Sequence, residues 1–202
     1  MKLASLKILT FLITTTVVFS GGCRTSGGSG GFEILSSDET PEAGRLVQDA
    51  NADLKKIKVL YEENEDKRQQ LKNALESDNK EEVKKISDNI LLTINEGFDF
   101  GKSAVEKIQQ AEDMKINDDY KEYLRLKEAA LLKQMEAFEQ YRQAAKTLRD
   151  NYDPKNPQQR DKVKADFDQR SDNYQKLMET ARNYSNQANE LYKDALRKQQ
   201  QQ

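Results

Sequence analysis

The 202-residue chain has no His and no Trp, and it has only one Cys and three Pro. Without His it has no imidazole for a metal site, for a Ser/His or Cys/His catalytic pair, or for a haem attachment motif. A single Cys forms neither an internal disulfide nor a thiolate metal cage. We therefore expect no metal, no cofactor and no enzyme activity of these common kinds.

Charge of either sign is not in excess, because 33 Lys and Arg face 35 Asp and Glu and leave a net charge of -2. This balance argues against a nucleic-acid partner, since such proteins usually carry a basic surface. Gly-rich phosphate loops and nucleophile-elbow patterns are also missing from the sequence. A hydrolase that uses a pair of carboxylates remains an alternative. Its sign would be an acidic residue in a deep cleft with a strongly raised pKa.

The first 22 residues have the pattern of an export signal peptide that is removed. Lys2 and Lys7 form a positive start without acids, and the apolar stretch from Ile8 to Phe19 follows. At about 12 residues this stretch is shorter than the ~20 that a spanning helix needs. Its removal would take away two Lys and no acid, which changes the net charge from -2 to -4.

Small residues lead from this stretch to the only thiol of the chain, in the order Ser20, Gly21, Gly22 and Cys23. The arrangement resembles a bacterial lipoprotein precursor. The resemblance implies cleavage before Cys23, a thioether-linked diacylglycerol on its sulfur, acyl chains such as palmitate, and thus a lipid anchor. Arg24 replaces the Asp typical of inner-membrane retention, which favours the outer membrane in a host with two membranes.

Ser20 departs from this family, which has an aliphatic residue at that position. Ser20 and Gly22 also satisfy the small-x-small rule of ordinary signal-peptide cleavage. The alternative to lipidation is therefore a secreted protein with one free thiol.

Residues 23–40 are predicted to be a flexible tether. Six of the nine Gly lie between Gly21 and Gly31, and Gly/Ser-rich segments behave as random coils. The mean reach from Cys23 to Thr40 is on the order of 20 to 25 Å. Phe32, Ile34 and Leu35 interrupt the segment, and we expect them to dock on the folded domain rather than on lipid.

From Pro41 onward, apolar residues recur at intervals of three and four, which predicts helices. Thr40 is predicted to cap the first of them, with Pro41 at its first position. Breaks are predicted at Ser77 to Asn79, where Asp78 and Glu81 have capping-box spacing, at Asn117, and between Pro154 and Pro157. The predicted helices are 41–76, 79–115, 118–152 and 158–198, followed by a frayed tail at 199–202.

Four long helices with short connections predict an all-α, elongated, antiparallel four-helix bundle of up-down-up-down topology, coiled-coil-like in its last helix. The predicted bundle covers residues 41–198. A coiled-coil hairpin or a homo-oligomer that completes its core between chains is the rival architecture. A ferritin-like di-iron centre is excluded because it needs inward-facing His.

A few residues break the apolar stripes of the predicted helices. Gly97 and Gly101 lie in the middle of the second helix, where each Gly costs ~1 kcal/mol relative to Ala, and they indicate close helix packing or else a kink or cleft. Asn64 and Arg68 are the only polar members of the first stripe, and we expect Arg68 to pair with an acid or to reach solvent.

The combined pattern predicts a lipid-anchored cell-envelope protein, with its membrane contact through the lipid on Cys23. Its bundle is interpreted as a non-catalytic protein-binding or spacer module for other envelope proteins. The alternative is a periplasmic chaperone or assembly factor that grips clients between long helices. Such chaperones tend to be basic, which the mature charge of -4 does not match.

Overall fold

The computed structural model describes residues 39–200, which form five helices and no strand within that range. The helices are α1 (Thr40–Glu63), α2 (Glu65–Glu76), α3 (Lys80–Glu112), α4 (Asp118–Asn151) and α5 (Pro157–Gln200). The predicted all-α bundle is confirmed. The expected signal peptide, Cys23, the tether up to residue 38 and residues 201–202 lie outside the described range.

Helices α3, α4 and α5 pack side by side in alternating directions. Helices α1 and α2 lie end to end along α3, α3 lies along α4, and α4 lies along α5. Two ion pairs show the antiparallel register of α3 and α4, because Glu112 meets Arg125 near one end while Asp88 meets Arg149 towards the other. We call the end with the start of α1 the tether end and the end with residues 77–79 the far end.

The predicted single helix 41–76 is wrong, because the structure divides it at Asn64 into α1 and α2. Asn64 has backbone angles φ -93° and ψ 1°, which are not helical, and its N–H bonds to the carbonyl of Tyr61 rather than to that of Leu60. The third and fourth predicted helices begin and end close to α4 and α5, and α5 continues to Gln200.

The predicted cap at Thr40 is also wrong. Helix α1 includes Thr40 as its first residue, so Glu39 occupies the N-cap position, without a capping side-chain hydrogen bond. The Glu39 carboxylate instead accepts a hydrogen bond from the backbone N–H of Lys115 in the α3–α4 connection. This contact holds Glu39 against the neighbouring loop, and the helix starts directly after it.

The turn at residues 77–79 forms where the sequence predicted it, but with a different cap. Asn79, not Asp78, caps α3, because its side chain accepts a hydrogen bond at 3.1 Å from the N–H of Glu82. Asp78 has φ 52°. The N–H of Asn79 donates to the carbonyl of Ala74, and the N–H of Asp78 donates to the carbonyl of Leu75. These are the two hydrogen bonds of a Schellman motif at the end of a helix.

The buried core is divided along the length of the bundle. One cluster lies at the tether end and includes Ala50, Ala104 and Leu124. A second lies at the far end and includes Val83, Ile86 and Leu148. A small third cluster of Ala137, Tyr174 and Met178 lies near the middle. Among the helices of residues 39–200, none combines the length and apolarity that crossing a bilayer requires.

Candidate functional site

A small cleft of about 50 Å³, partly open to solvent, lies at mid-length beside the α1–α2 break. We call it the central cleft. Its first wall comes from α1 and α2 and contains Ile57, Leu60, Tyr61, Asn64 and Arg68. Helix α3 supplies Ile90, Thr93, Ile94 and Gly97, and α4 supplies Phe138 and Tyr141. Its walls are thus mainly apolar, with a few polar groups, as in small-ligand sites.

The helix break places Asn64 in this cleft by a local mechanism. The side-chain Nδ2 of Asn64 donates to the carbonyl of Leu60 at 2.6 Å. That carbonyl would be the partner of the Asn64 backbone N–H in a continuous helix. The side chain therefore competes with the backbone for the same acceptor, which is how Asn interrupts helices. Helix α2 then restarts with a hydrogen bond from the N–H of Arg68 to the carbonyl of Asn64.

This geometry determines which atom of the Asn64 amide has no hydrogen bond to Leu60. A carbonyl only accepts hydrogen bonds, so the nitrogen must face Leu60 and the oxygen must face away from it. The Oδ1 atom is buried and has no hydrogen-bond partner among the described residues, and Asn64 as a whole is 9% exposed. A buried acceptor without a donor costs about 1 to 3 kcal/mol.

Arg68 lies beside Asn64 and contributes a positive charge. Its guanidinium carbon is 4.2 Å from the ring centroid of Tyr61, within the range of a cation–π interaction. We expected Arg68 to pair with an acid or to reach solvent, and the contact that the structure shows is this one with the Tyr61 ring. On α5, Arg170 pairs with Asp166 at 2.8 Å along its own helix.

Two further tyrosines lie close to Arg68 and Tyr61. Burial raises the pKa of Tyr141 to about 12, although the charge of Arg68 opposes the shift. Burial also raises the pKa of Tyr174, which is 2% exposed. Both hydroxyls therefore remain protonated at neutral pH.

The two glycines singled out in the sequence have different surroundings. A Cβ on Gly97 would meet nothing within 4 Å, so the missing side chain leaves the α3 wall of the cleft open. A Cβ on Gly101 would lie 3.1 Å from Sδ of Met135, so here α4 approaches α3 closely. Helix α3 runs through both positions without a break.

A second polar site, which sequence reasoning missed, lies between α1 and α3 towards the tether end. The carboxylate of Asp53 is 4% exposed and accepts hydrogen bonds from Ser103 at 2.8 Å, Lys107 at 2.5 Å and Lys56 at 3.0 Å. Burial alone would raise the pKa of Asp53, but the bonds from Lys107, Ser103 and Lys56 outweigh it and lower the pKa to about 2.

Asp53 therefore stays charged and is a weak base, which suits a structural ion cluster. The only sign of this site in the sequence was one acidic residue on the face of α1 that packs against α3. Sequence alone does not distinguish Asp53 from the many exposed acidic residues of the chain. Within residues 39–200 no group of three or more acidic or thiol side chains is arranged to hold a metal ion.

Comparisons of the chain with protein-family models, with curated proteins and with solved structures gave no match.

Proposed function

We propose that the chain is a lipid-anchored cell-envelope protein whose bundle is a non-catalytic protein-binding or spacer module. The observation that carries this proposal is the position of the only thiol. Cys23 follows the apolar stretch of an export signal and precedes the helical domain by only a short Gly/Ser-rich segment. The anchor would thus enter the bundle at its tether end.

The dimensions of the bundle support a role as a spacer. Helix α4 has 34 residues and α5 has 44, which correspond to about 50 and 65 Å at 1.5 Å per residue. An anchor at the tether end would allow the far end to project about 50 Å from the membrane. Residues 77–79 and 152–156 form the two connections at that end.

Polar contacts between helices support a stiff rod rather than a loose one. Along α3 and α4, Gln109 donates to Glu128 at 2.6 Å and Arg125 pairs with Glu112 at 2.8 Å. Each exposed pair contributes little stability. Together with the Asp88–Arg149 pair towards the far end, they match one antiparallel register of α3 and α4.

Anchoring would also provide the mechanism of binding. Confinement to one membrane surface raises the effective concentration of the bundle for other anchored proteins, so weak contacts suffice. The lowered pKa of Asp53 makes this buried carboxylate a poor proton acceptor, so it does not act as a general base. Multi-chain acylation gives stable membrane binding at ~0.8 kcal/mol per buried CH₂.

Membrane fractionation of cells that produce the full chain tests the proposal. Cys23→Ala removes the acceptor of the lipid and should move the protein to the soluble fraction. The matched control Ser26→Ala changes the Gly/Ser-rich segment but keeps the thiol, and it should remain with the membranes. Retention of Cys23→Ala in the membrane fraction would refute the anchor.

A further inference from the structure

We propose that helix α2 is a detachable cover of the far-end core, which undocks from α3 and unfolds while the rest of the bundle stays folded. Leu71 of α2 belongs to the same buried cluster as Val83 and Ile86 of α3, which are 0% and 3% exposed. Opening would thus uncover an apolar face of α3. This inference goes beyond the proposed function, since it concerns the motion of one helix and does not depend on the anchor.

Helix α2 buries few side chains. It has 12 residues, and between residues 66 and 76 only Leu71 and Ala74 are buried. Helix α4, by comparison, buries ten residues. Helices of about 12 residues are marginal in water on their own, so α2 remains helical only while it is docked. Its docking depends largely on one large buried side chain, that of Leu71.

The junction with α1 gives α2 little support. The Asn64 side chain occupies the carbonyl of Leu60, so the helical hydrogen bonds of α1 do not continue unbroken into α2. Asn64 is also the N-cap residue of α2, but its side chain caps no N–H of that helix. Its Oδ1 atom is buried without a partner among the described residues, and unfolding of α2 would expose it to water. Opening has to break the contact between Arg68 and the Tyr61 ring.

The junction with α3 contains a residue in an unfavourable backbone conformation. Asp78 has φ 52°, in the left-handed region that residues other than Gly rarely adopt. The two Schellman bonds that hold it there end in the last turn of α2, so they are lost when α2 unfolds. Residues of this kind at the end of an element absorb the backbone rotations of a hinge.

The length of the chain allows α2 to unfold without displacing its neighbours. Twelve residues span about 18 Å as a helix at 1.5 Å per residue, and about 40 Å when extended. Helices α1 and α3 can meanwhile stay packed against each other, because the ion pair of Asp53 with Lys107 joins them independently of α2. Undocking of α2 is therefore a local event.

Native-state hydrogen exchange of the purified full chain tests the proposal, at urea concentrations below the unfolding transition. We expect the amides of residues 69–76 to exchange together, at least about 100-fold faster than the slowest amides of α4. Low urea should change their rate little, because the opening exposes a small surface. Exchange of residues 69–76 with the rate and urea dependence of α4 would overturn the proposal, since α2 would then open only with the whole bundle.

Two substitutions of the same type separate the local opening from global unfolding. Leu71→Ala removes a docking contact of α2 and should speed the exchange of residues 69–76 by about 30-fold or more. Leu124→Ala is the matched control, because Leu124 is 0% exposed and lies in the tether-end cluster. It should speed exchange in α4 by a similar factor and leave residues 69–76 unchanged.

An increase in the exchange of residues 69–76 in Leu124→Ala that matches the increase in α4 would overturn the cover. The urea dependence is measured on the wild type, so it remains decisive even if a variant fails to fold. None of these results bears on the Cys23→Ala fractionation, so the two proposals fail separately.

Discussion

The buried carboxylate of Asp53 makes the stability of the bundle depend on pH in the acid range. Its pKa is about 2 in the folded protein and 3.8 without the surrounding structure. The difference corresponds to about 2 kcal/mol of folding free energy at 1.36 kcal/mol per pKa unit. Because the folded pKa is the lower one, this contribution is present above about pH 4 and is lost as the pH falls towards 2.

Asp53→Asn keeps the shape of the side chain and removes its charge, so it removes this contribution at every pH. Urea unfolding at several pH values between 7 and 2.5 measures it. The free energy of unfolding of the wild type should exceed that of the variant by about 2 kcal/mol near neutrality, and the excess should shrink below pH 4.

Asp194→Asn is the matched control. Asp194 forms an ion pair with Arg197 at 2.9 Å on the exposed surface of α5, where solvent screens both charges. Its difference from the wild type should change little between neutral and acid pH. A difference between wild type and Asp53→Asn that stays constant down to pH 2.5 would refute the assignment of the ion cluster.

Two further perturbations test the packing of the bundle. Gly97→Ala should stabilise the protein by up to about 1 kcal/mol in urea unfolding, because the added Cβ meets no atom within 4 Å, whereas Gly101→Ala should gain less because its Cβ presses on Met135. Equal gains for the two would contradict this packing. Tyr152→Phe should cost about 1 kcal/mol, since the hydroxyl donates to Asp78 at 3.0 Å and ties the 77–79 turn to the end of α4. An unchanged unfolding midpoint would show that this bond contributes nothing.

The general architecture could be predicted from the sequence because local signals agreed with it. The three-and-four spacing of apolar residues predicted the helices. A break was predicted at Asn117, and this residue caps α4: its Oδ1 accepts a hydrogen bond from the N–H of Tyr120 at 2.8 Å. Pro154 and Pro157 marked the last loop, since Pro ends or starts helices but does not continue them.

The break at Asn64 could not be predicted from periodicity, because the apolar stripe continues through it to Leu71 and Leu75. The break depends on a single side-chain bond to the carbonyl of Leu60. The sequence did carry a partial signal for the central cleft, since Asn64, Arg68 and Gly97 each stood out from an apolar stripe. Their convergence depends on the register between α1 and α3, which the spacing alone does not fix.

The proposed membrane anchor is tested most directly by the mass of the protein extracted from membranes. Intact-mass and N-terminal peptide measurements should show a chain that begins at Cys23 and carries a diacylglycerol thioether with further acyl chains. A membrane-extracted chain that begins elsewhere, or that carries an unmodified thiol at Cys23, would contradict the account.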